Sequence, residues 1–315
     1  MTAAFAFLAF LPPSTESLRE AWVVPVKGPS TAQIRFDPVE AAFAAGEAVS
    51  PDRPLAGAAW TAIKAGDDGA FTGDALRSGV IAIRVASPES RTALLEAQGA
   101  SLAWVNGEPR VGDVYSSGYV SLPIRLKKGD NLLLFRVARG RLKVDLVDGP
   151  KPISLDARDA TLPDRIEGRP EPLWAALVVR NATDKPGSGL TIEARSGGKR
   201  IRTAVGAAPA YGVRKVGFRI PDARTEETTV RLFQGNRELD RTTVKLRLRK
   251  ANETRKRTFV SGIDGSVQYY AENPASRAGA ESLVLSVHGA SVEAINQADA
   301  YSAKNWTNLV APTNR

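Results

Sequence analysis

The chain of 315 residues contains no cysteine and a single histidine, His288. Without cysteine there can be neither a disulfide framework nor a thiolate metal site, and one histidine excludes a histidine-rich metal centre. The run Asp67-Asp68-Gly69 fits a hairpin turn better than a carboxylate calcium site. We therefore expect no metal and no other cofactor.

Long apolar runs are also missing, so we expect no membrane-spanning segment. A short apolar run, Ala3–Leu11, has the length of the hydrophobic part of an export signal. No Lys or Arg precedes it and no small-x-small cleavage site follows, so an apolar N-terminal strand is the alternative. We favour export, because the rest of the chain has an extracellular type of architecture, and predict a secreted or periplasmic protein with residues 1–17 as its leader.

Positive charge is in excess, with 43 basic against 34 acidic residues and a net charge of +9. The basic residues are spread along the chain except within residues 245–257. There Lys245, Arg247 and Arg249 alternate with leucines, as on a strand with one solvated face, and residues 255–257 have the character of a solvated linker. This interpretation is favoured over a polyanion-binding patch, and we expect no nucleic-acid partner. Affinity for acidic polysaccharide is the open alternative.

Residues 18–150 have the pattern of a first β-rich domain. Asp37, Pro38 and Glu40 provide the N-cap, first-turn proline and third-position acid of a short helix. Short strands separated by turn residues follow, a rhythm typical of a sandwich or jelly roll. The predicted strands are Ala59–Lys64, Val80–Val85, Arg91–Ala97, Ser101–Val105, Tyr119–Leu126, Asn131–Ala138 and Arg141–Val147.

Two hairpin signals in this domain carry a family resemblance. The first is Val105-Asn106-Gly107, in which both turn positions tolerate positive φ, and the second is the L-x-x-G-x-N pattern of residues 126–131. Together they resemble the galactose-binding-like jelly rolls attached to many secreted hydrolases. The resemblance implies a jelly-roll fold, and it makes Trp104 and Tyr119, with Tyr115 beside them, candidates for stacking on a glycan. Core or edge packing is the alternative role for these aromatic rings.

A linker and a second β-domain are predicted next. Residues 151–172 are rich in Pro, Arg and Asp, as expected of an extended, turn-rich linker. Residues 173–250 have the length and strand rhythm of an immunoglobulin-like sandwich. The predicted strands are Leu173–Asn181, Leu190–Arg195, Arg214–Ile220, Thr229–Phe233 and Thr242–Leu248.

Residues 251–315 have a different pattern, in which an apolar run, Leu283–Val287, leads into His288 and Gly289. Such a run predicts a strand buried in a parallel sheet. A two-strand segment with an Asp-Gly turn precedes it, and a helical pattern over Val292–Ser302 and a strand at Asn308–Ala311 follow. This order resembles the start of the catalytic domain of prolyl-oligopeptidase-like peptidases and related secreted esterases. The resemblance implies an incomplete α/β-hydrolase sheet, with an oxyanion-hole loop formed by His288, Gly289, Ala290 and Ser291.

The chain lacks the nucleophile that this resemblance requires. No G-x-S-x-G is present, and in the nearest run Glu293 stands where the last glycine should be. His288 precedes any nucleophile, whereas the catalytic histidine of the family comes last. A hydrolase core also needs about 200 residues or more. We therefore predict no catalytic residue in this chain and interpret it as the N-terminal fragment of an exported serine hydrolase, which in full length would act on a peptide or ester substrate. The alternative is a non-catalytic β-sandwich protein that binds glycan or a protein partner.

Overall fold

The structure is a computed structural model that describes residues 14–26, 37–77, 79–137, 139–169, 171–222, 225–279, 282–287, 289 and 292–313. The chain divides into two compact units, Met1–Lys151 and Pro152–Arg315. Both consist almost entirely of β-strands joined by turns, so the predicted mainly β fold is confirmed. No helix within the described ranges has the length and apolarity needed to cross a membrane.

The first unit contains eleven described strands, one short helix and one 3₁₀ turn. In chain order these are β1 (Thr15–Ser17), β2 (Glu20–Val24), α1 (Pro38–Ala44), β3 (Thr61–Lys64), β4 (Ala70–Thr72), the 3₁₀ turn (Asp74–Leu76), β5 (Val80–Ser87), β6 (Arg91–Gln98), β7 (Ala100–Val105), β8 (Glu108–Val111), β9 (Leu122–Leu126), β10 (Gly129–Val137) and β11 (Arg141–Asp148).

These strands form two antiparallel sheets that share one core. The five-stranded sheet has the order β1-β11-β6-β9, with β4 also paired to β11, and the six-stranded sheet has the order β3-β2-β5-β10-β7-β8. Alternate side chains of each strand point to the core, since successive residues of a strand face opposite sides. Ile83 and Phe135 from one sheet therefore pack with Leu95 and Val144 from the other. The unit is a β-sandwich.

Helix α1 covers the other face of the six-stranded sheet. Asp37 is its N-cap, as predicted, and the carboxylate accepts hydrogen bonds from the backbone N–H groups of Val39 at 2.9 Å and Glu40 at 3.3 Å. The same carboxylate forms an ion pair with Arg136 of β10. Val39 packs in a small cluster with the indole of Trp104.

The second unit contains thirteen described strands and one helix. These are β12 (Ile153–Thr161), β13 (Arg165–Ile166), β14 (Leu173–Asn181), β15 (Leu190–Ser196), β16 (Lys199–Ala204), β17 (Gly212–Ile220), β18 (Glu227–Gln234), β19 (Arg237–Lys245), β20 (Leu248–Arg249), β21 (Arg255–Val260), β22 (Val267–Asn273), β23 (Ser282–Leu285), α2 (Ala294–Asp299) and β24 (Thr307–Pro312).

Most of the second unit is another sandwich. A three-stranded sheet, β12-β14-β17, shares a core with a four-stranded sheet, β16-β15-β18-β19. Strand β12 lies within residues 151–172, the segment predicted as a linker, and pairs with β14. The finer predictions, a galactose-binding-like and an immunoglobulin-like fold with boundaries at residues 17, 150, 172 and 250, stay predictions.

Strands β13 and β20 form a short parallel pair, and β21 to β24 form a second four-stranded sheet with the order β21-β22-β24-β23. Strands β21, β22 and β24 are antiparallel neighbours, whereas β23 runs parallel to β24. Helix α2 packs Ala294 and Ala298 against Tyr269, Ala271 and Leu309 on one face of this sheet. The predicted order of strand, helix and strand over residues 282–312 is therefore present.

Candidate functional site

The strongest functional candidate is the edge strand β23. It pairs with β24 on one side and has no partner strand on the other among the described residues. The sequence predicts that Leu283–Val287 is buried, and this is wrong: Leu283 and Leu285 are each 65% exposed, and Val287 is exposed as well. The prediction failed because β23 lies at the end of the sheet, where the described residues provide no cover. We call β23 the open edge.

The face of this sheet opposite α2 is only partly covered in the part of the chain that the structure describes, since Tyr270, Val310 and Pro312 are half-buried there. The register pairs Leu285 with Val310, and Tyr270 with Pro312, so the side chains of these residues share that face with Leu283. Phe259 lies on it too, 44% exposed and with its ring 6.1 Å from that of Tyr270. Contiguous exposed apolar surface on a soluble protein marks a site of interaction. We call this surface the open face, and it is formed by Phe259, Tyr270, Leu283, Leu285, Val310 and Pro312.

A groove at one end of the open face has a volume of about 450 Å³. It lies between the β21–β22 turn and the end of β24, where Phe259, Ile263 and Pro312 line it. Ile263, at the tip of the turn, is almost fully exposed. The groove therefore extends the apolar surface away from β23 and along the sheet.

A polar cluster around the buried carboxylate of Asp164 links β21 to the segments that follow β12 and β19 of the sandwich. Arg247 makes two hydrogen bonds to the carboxylate of Asp164, at 2.8 and 2.7 Å, and the backbone N–H of Lys256 donates to the same carboxylate at 2.7 Å. Burial lowers the pKa of the Lys256 ammonium, although the Asp164 charge opposes that shift. The Tyr269 hydroxyl donates to Glu293 at 2.6 Å. These contacts hold β21, β22 and α2 in place while β23 stays open.

The predicted oxyanion-hole loop is only partly visible. His288, Ala290 and Ser291 lie outside the described residues. Gly289 is exposed, and its carbonyl oxygen accepts a hydrogen bond from the Val292 N–H at 3.3 Å. The predicted role of these four residues is not tested by this geometry and stays a prediction.

The predicted stacking residues occupy different environments. Trp104 is 1% exposed, since its indole fills the cluster beneath α1, so its ring offers no face to a sugar. Tyr119 is 36% exposed. Tyr115 has the guanidinium of Arg139 over its ring, 4.5 Å from the centroid. Glycan stacking at Tyr119 stays a prediction, and the structure does not bring Trp104 to the same surface.

Comparison with known proteins gives a loose likeness to glycosidases. No protein-family model matches this chain, and no curated protein matches it significantly. The exo-chitosanase of Amycolatopsis orientalis is similar over 82% of this chain at 13% identity and a TM-score of 0.33. A β-glucuronidase from glycoside hydrolase family 2 is similar over 78% of this chain, at 12% identity and a TM-score of 0.34. A β-glycosidase from Bacteroides vulgatus is similar over 90% of this chain, at 13% identity and a TM-score of 0.31. This chain covers 36%, 31% and 38% of those three chains, about a third of each.

The predicted membership of the prolyl-oligopeptidase-like hydrolases, and with it the interpretation of the chain as the N-terminal fragment of a serine peptidase or esterase, is wrong. The described part of the chain is almost entirely β, and its strands do not form an α/β-hydrolase sheet with covering helices. The prediction failed because one strand–helix–strand segment, with a helix of six residues, is too short a pattern to define an α/β-hydrolase fold. The TM-scores are also too low for the glycosidase likeness to carry an activity over to this chain.

Proposed function

We propose that this chain is a binding protein of β-sandwich architecture that takes a protein partner at the open edge and the open face. The partner adds a β-strand to β23 and lays an apolar surface over Leu283 and Leu285. The observation that carries the proposal is the parallel pair of β23 and β24, whose outer strand is exposed on both faces.

Parallel strands are normally covered on both faces, because the connections that make strands parallel bring helices over the sheet. Here Val284, on the α2 side, is 37% exposed, and the side chains on the opposite side are more exposed still. A sheet edge is usually protected by Lys, Pro or a bulge against pairing with other chains. The run from Ser282 to Val287 contains no Lys or Pro, and the β23–β24 register has no bulge, so the protection that β23 has is its short length of four residues. Both features fit a strand that a partner covers.

The charge of the chain favours a different polypeptide over a second copy. A net charge of +9 makes two copies repel each other and attracts an acidic protein instead. The partner therefore has an apolar segment of strand length within an acidic surface. Main-chain hydrogen bonds to β23 supply much of the affinity, as in other complexes formed by strand addition, and the exposed leucines supply the specificity.

Crosslinking tests the proposal directly, because a chain without cysteine accepts one specific label. A Leu285→Cys variant that carries a photoreactive group is illuminated in an extract of the producing cells, and the crosslinked peptide is identified by mass spectrometry. Val111→Cys is the matched control, since Val111 is also an exposed apolar residue, 61% exposed, on the edge strand β8. We expect a crosslink from position 285 to one apolar, strand-length segment and none from position 111.

The segment identified in this way is then synthesised and titrated into the unlabelled chain. Binding of the peptide should slow hydrogen exchange of the amides of residues 282–287. The Leu285→Lys substitution should abolish this binding. A crosslink to a second copy of this chain, equal labelling from both positions, or a peptide that leaves those amides unprotected would each overturn the proposal.

A further inference from the structure

A row of charged side chains crosses the outer face of the β16-β15-β18-β19 sheet. The register aligns Arg202, Glu193, Arg231 and Arg241 in the four adjacent strands. Paired residues of neighbouring strands point to the same face, and strands are about 4.8 Å apart, so the row is about 15 Å long. Its members are far apart in the sequence, and only the strand register brings them together.

Glu193 is the centre of the row and is fully buried by its arginine neighbours. Its carboxylate accepts hydrogen bonds from the Nε of Arg195 at 2.6 Å, the Nε of Arg202 at 2.8 Å and a terminal nitrogen of Arg231 at 3.2 Å. Burial alone would raise the pKa of Glu193, but the hydrogen bonds and charges of these arginines outweigh it and lower the pKa to about 2. The carboxylate is therefore ionised and fully engaged.

The arginines keep further donors for a ligand. Arg195 and Arg202 contact Glu193 through Nε, and Arg241 contacts Glu238 through Nε at 2.6 Å. Within the described residues, the terminal amino groups of these three arginines make no hydrogen bond. Their side chains are 47%, 50% and 68% exposed. Each therefore presents a planar pair of donors to solvent, the geometry that binds carboxylate and sulfate groups.

Arg200 adds a fifth positive charge to this face. It pairs with Arg195 in the next row of the register, is exposed, and has no ion pair with any residue in the described ranges. Five guanidinium groups thus stand against the carboxylates of Glu193 and Glu238, while the paired Glu227 and Lys245 at the end of the same face add one charge of each sign. The excess of three positive charges lies on a flat sheet surface. We call this surface the arginine face.

We propose that the arginine face binds an acidic polysaccharide, with its carboxylate or sulfate groups on the terminal amino groups of Arg195, Arg202 and Arg241. A flat row of forked donors suits a linear polymer with regularly spaced anions. A single-stranded nucleic acid also needs exposed aromatic rings for its bases. The aromatic ring of this face, Phe233, is covered by the guanidinium groups of Arg202 and Arg231, 5.0 and 4.9 Å from its centroid. The site is distinct from the open edge, so either proposal can fail alone.

Titration calorimetry with heparin, polygalacturonate and neutral dextran tests this assignment, with poly(dT) as the nucleic-acid arm. The variant Arg200→Gln/Arg241→Gln removes two charges from the arginine face, and Lys127→Gln/Lys128→Gln removes two exposed charges from the first unit. Glu238→Gln removes a carboxylate without removing an arginine. Thermal unfolding of each variant establishes that it is folded.

We expect the dissociation constant of an acidic polysaccharide to rise roughly five- to tenfold in the arginine variant, as for the loss of two exposed charge contacts. It should fall in Glu238→Gln, change less than about twofold in the lysine variant, and rise steeply with salt. Dextran should not bind. An equal loss in the lysine variant, tighter binding of poly(dT) than of both polysaccharides, or no saturable binding at low salt would refute the proposal.

Discussion

Asn106 and Asn131 hold two hairpins of the first sandwich together through their side chains. The amide nitrogen of Asn106 donates to the amide oxygen of Asn131 at 2.9 Å, and the Asn106 oxygen accepts from the Leu132 N–H at 3.0 Å. The Asn131 oxygen also accepts from the Lys127 N–H at 2.8 Å, which closes the turn before β10. The two hairpin motifs visible in the sequence are therefore parts of one hydrogen-bonded corner.

Replacement of Asn131 by Ala should reduce the free energy of unfolding by about 2–4 kcal/mol, because one buried and several partly buried main-chain groups lose their partner at once. The Asn131 side chain also donates to the carbonyl oxygens of Lys127 and Gly129. Urea unfolding measures the loss. The neighbouring exposed residue provides the control, since Asp130→Ala should change stability by less than about 0.5 kcal/mol. Equal losses in the two variants would show that this corner does not depend on the Asn131 amide.

The contribution of the Asp37–Arg136 ion pair to stability should be separable from the contribution of the Asp37 helix cap. Asn caps helices about as well as Asp, so Asp37→Asn removes only the charge, whereas Asp37→Ala removes both contacts. We expect Asp37→Ala to lower the free energy of unfolding by about 1–2 kcal/mol more than Asp37→Asn does, since this is the usual contribution of a helix cap. Chemical denaturation of both variants gives the difference. Identical losses would mean that the cap hydrogen bonds at Val39 and Glu40 contribute nothing measurable.

Gly217 is the point where β17 of the second sandwich meets Val267 of the four-stranded sheet. A Cβ at position 217 would lie 2.5 Å from the Val267 Cγ2, so Gly217→Ala forces the valine to move. Overpacking of this kind costs about 1–3 kcal/mol. In a Val267→Ala background the same substitution should cost under about 0.5 kcal/mol, because the obstructing methyl group is gone. A cost that is the same in both backgrounds would place the strain elsewhere.

The lowered pKa of Glu193 predicts how the free energy of unfolding depends on pH in the acid range. Its pKa is lowered from 4.5 to about 2 in the folded chain, so the unfolded chain binds more protons between these values. The stabilisation by ionised Glu193 is therefore complete above about pH 5 and is lost as the pH falls through 4 toward 2. Unfolding free energies measured from pH 2.5 to 6 should fall less steeply toward low pH in Glu193→Gln than in the parent chain. Parallel curves would contradict the lowered pKa.

Much of the local structure could be predicted from the sequence, because its chemistry is local. Asp37 and Pro38 define the start of α1 by capping alone. Asn106 and Gly107 form their turn with φ of 51° and 89°, values that few other residue pairs adopt at low cost. Leu173–Asn181 was correct to the residue, since a strand bounded by turn residues needs no information about its neighbours.

The features that depend on neighbouring strands could not be predicted. An apolar run such as Leu283–Val287 predicts a strand, but its burial depends on elements that pack against it. The arginine face exists only because residues of four strands align in register, and in the sequence its basic residues do not form a cluster. The burial of Trp104 could not be predicted for the same reason, because it depends on α1, which covers that face of the sheet.

The exposure of β23 has a further consequence for its alignment with β24. Leu283, Val284 and Leu285 are all apolar, so a slip by one residue would exchange the two faces with little change in hydrophobic burial. The main-chain bond from Ser286 N–H to the Val310 carbonyl, at 2.9 Å, is then a principal restraint on the alignment. A strand added along the outer side of β23 would contact Leu283 and Leu285 on one face and Val284 on the other, and would therefore select one alignment as it binds.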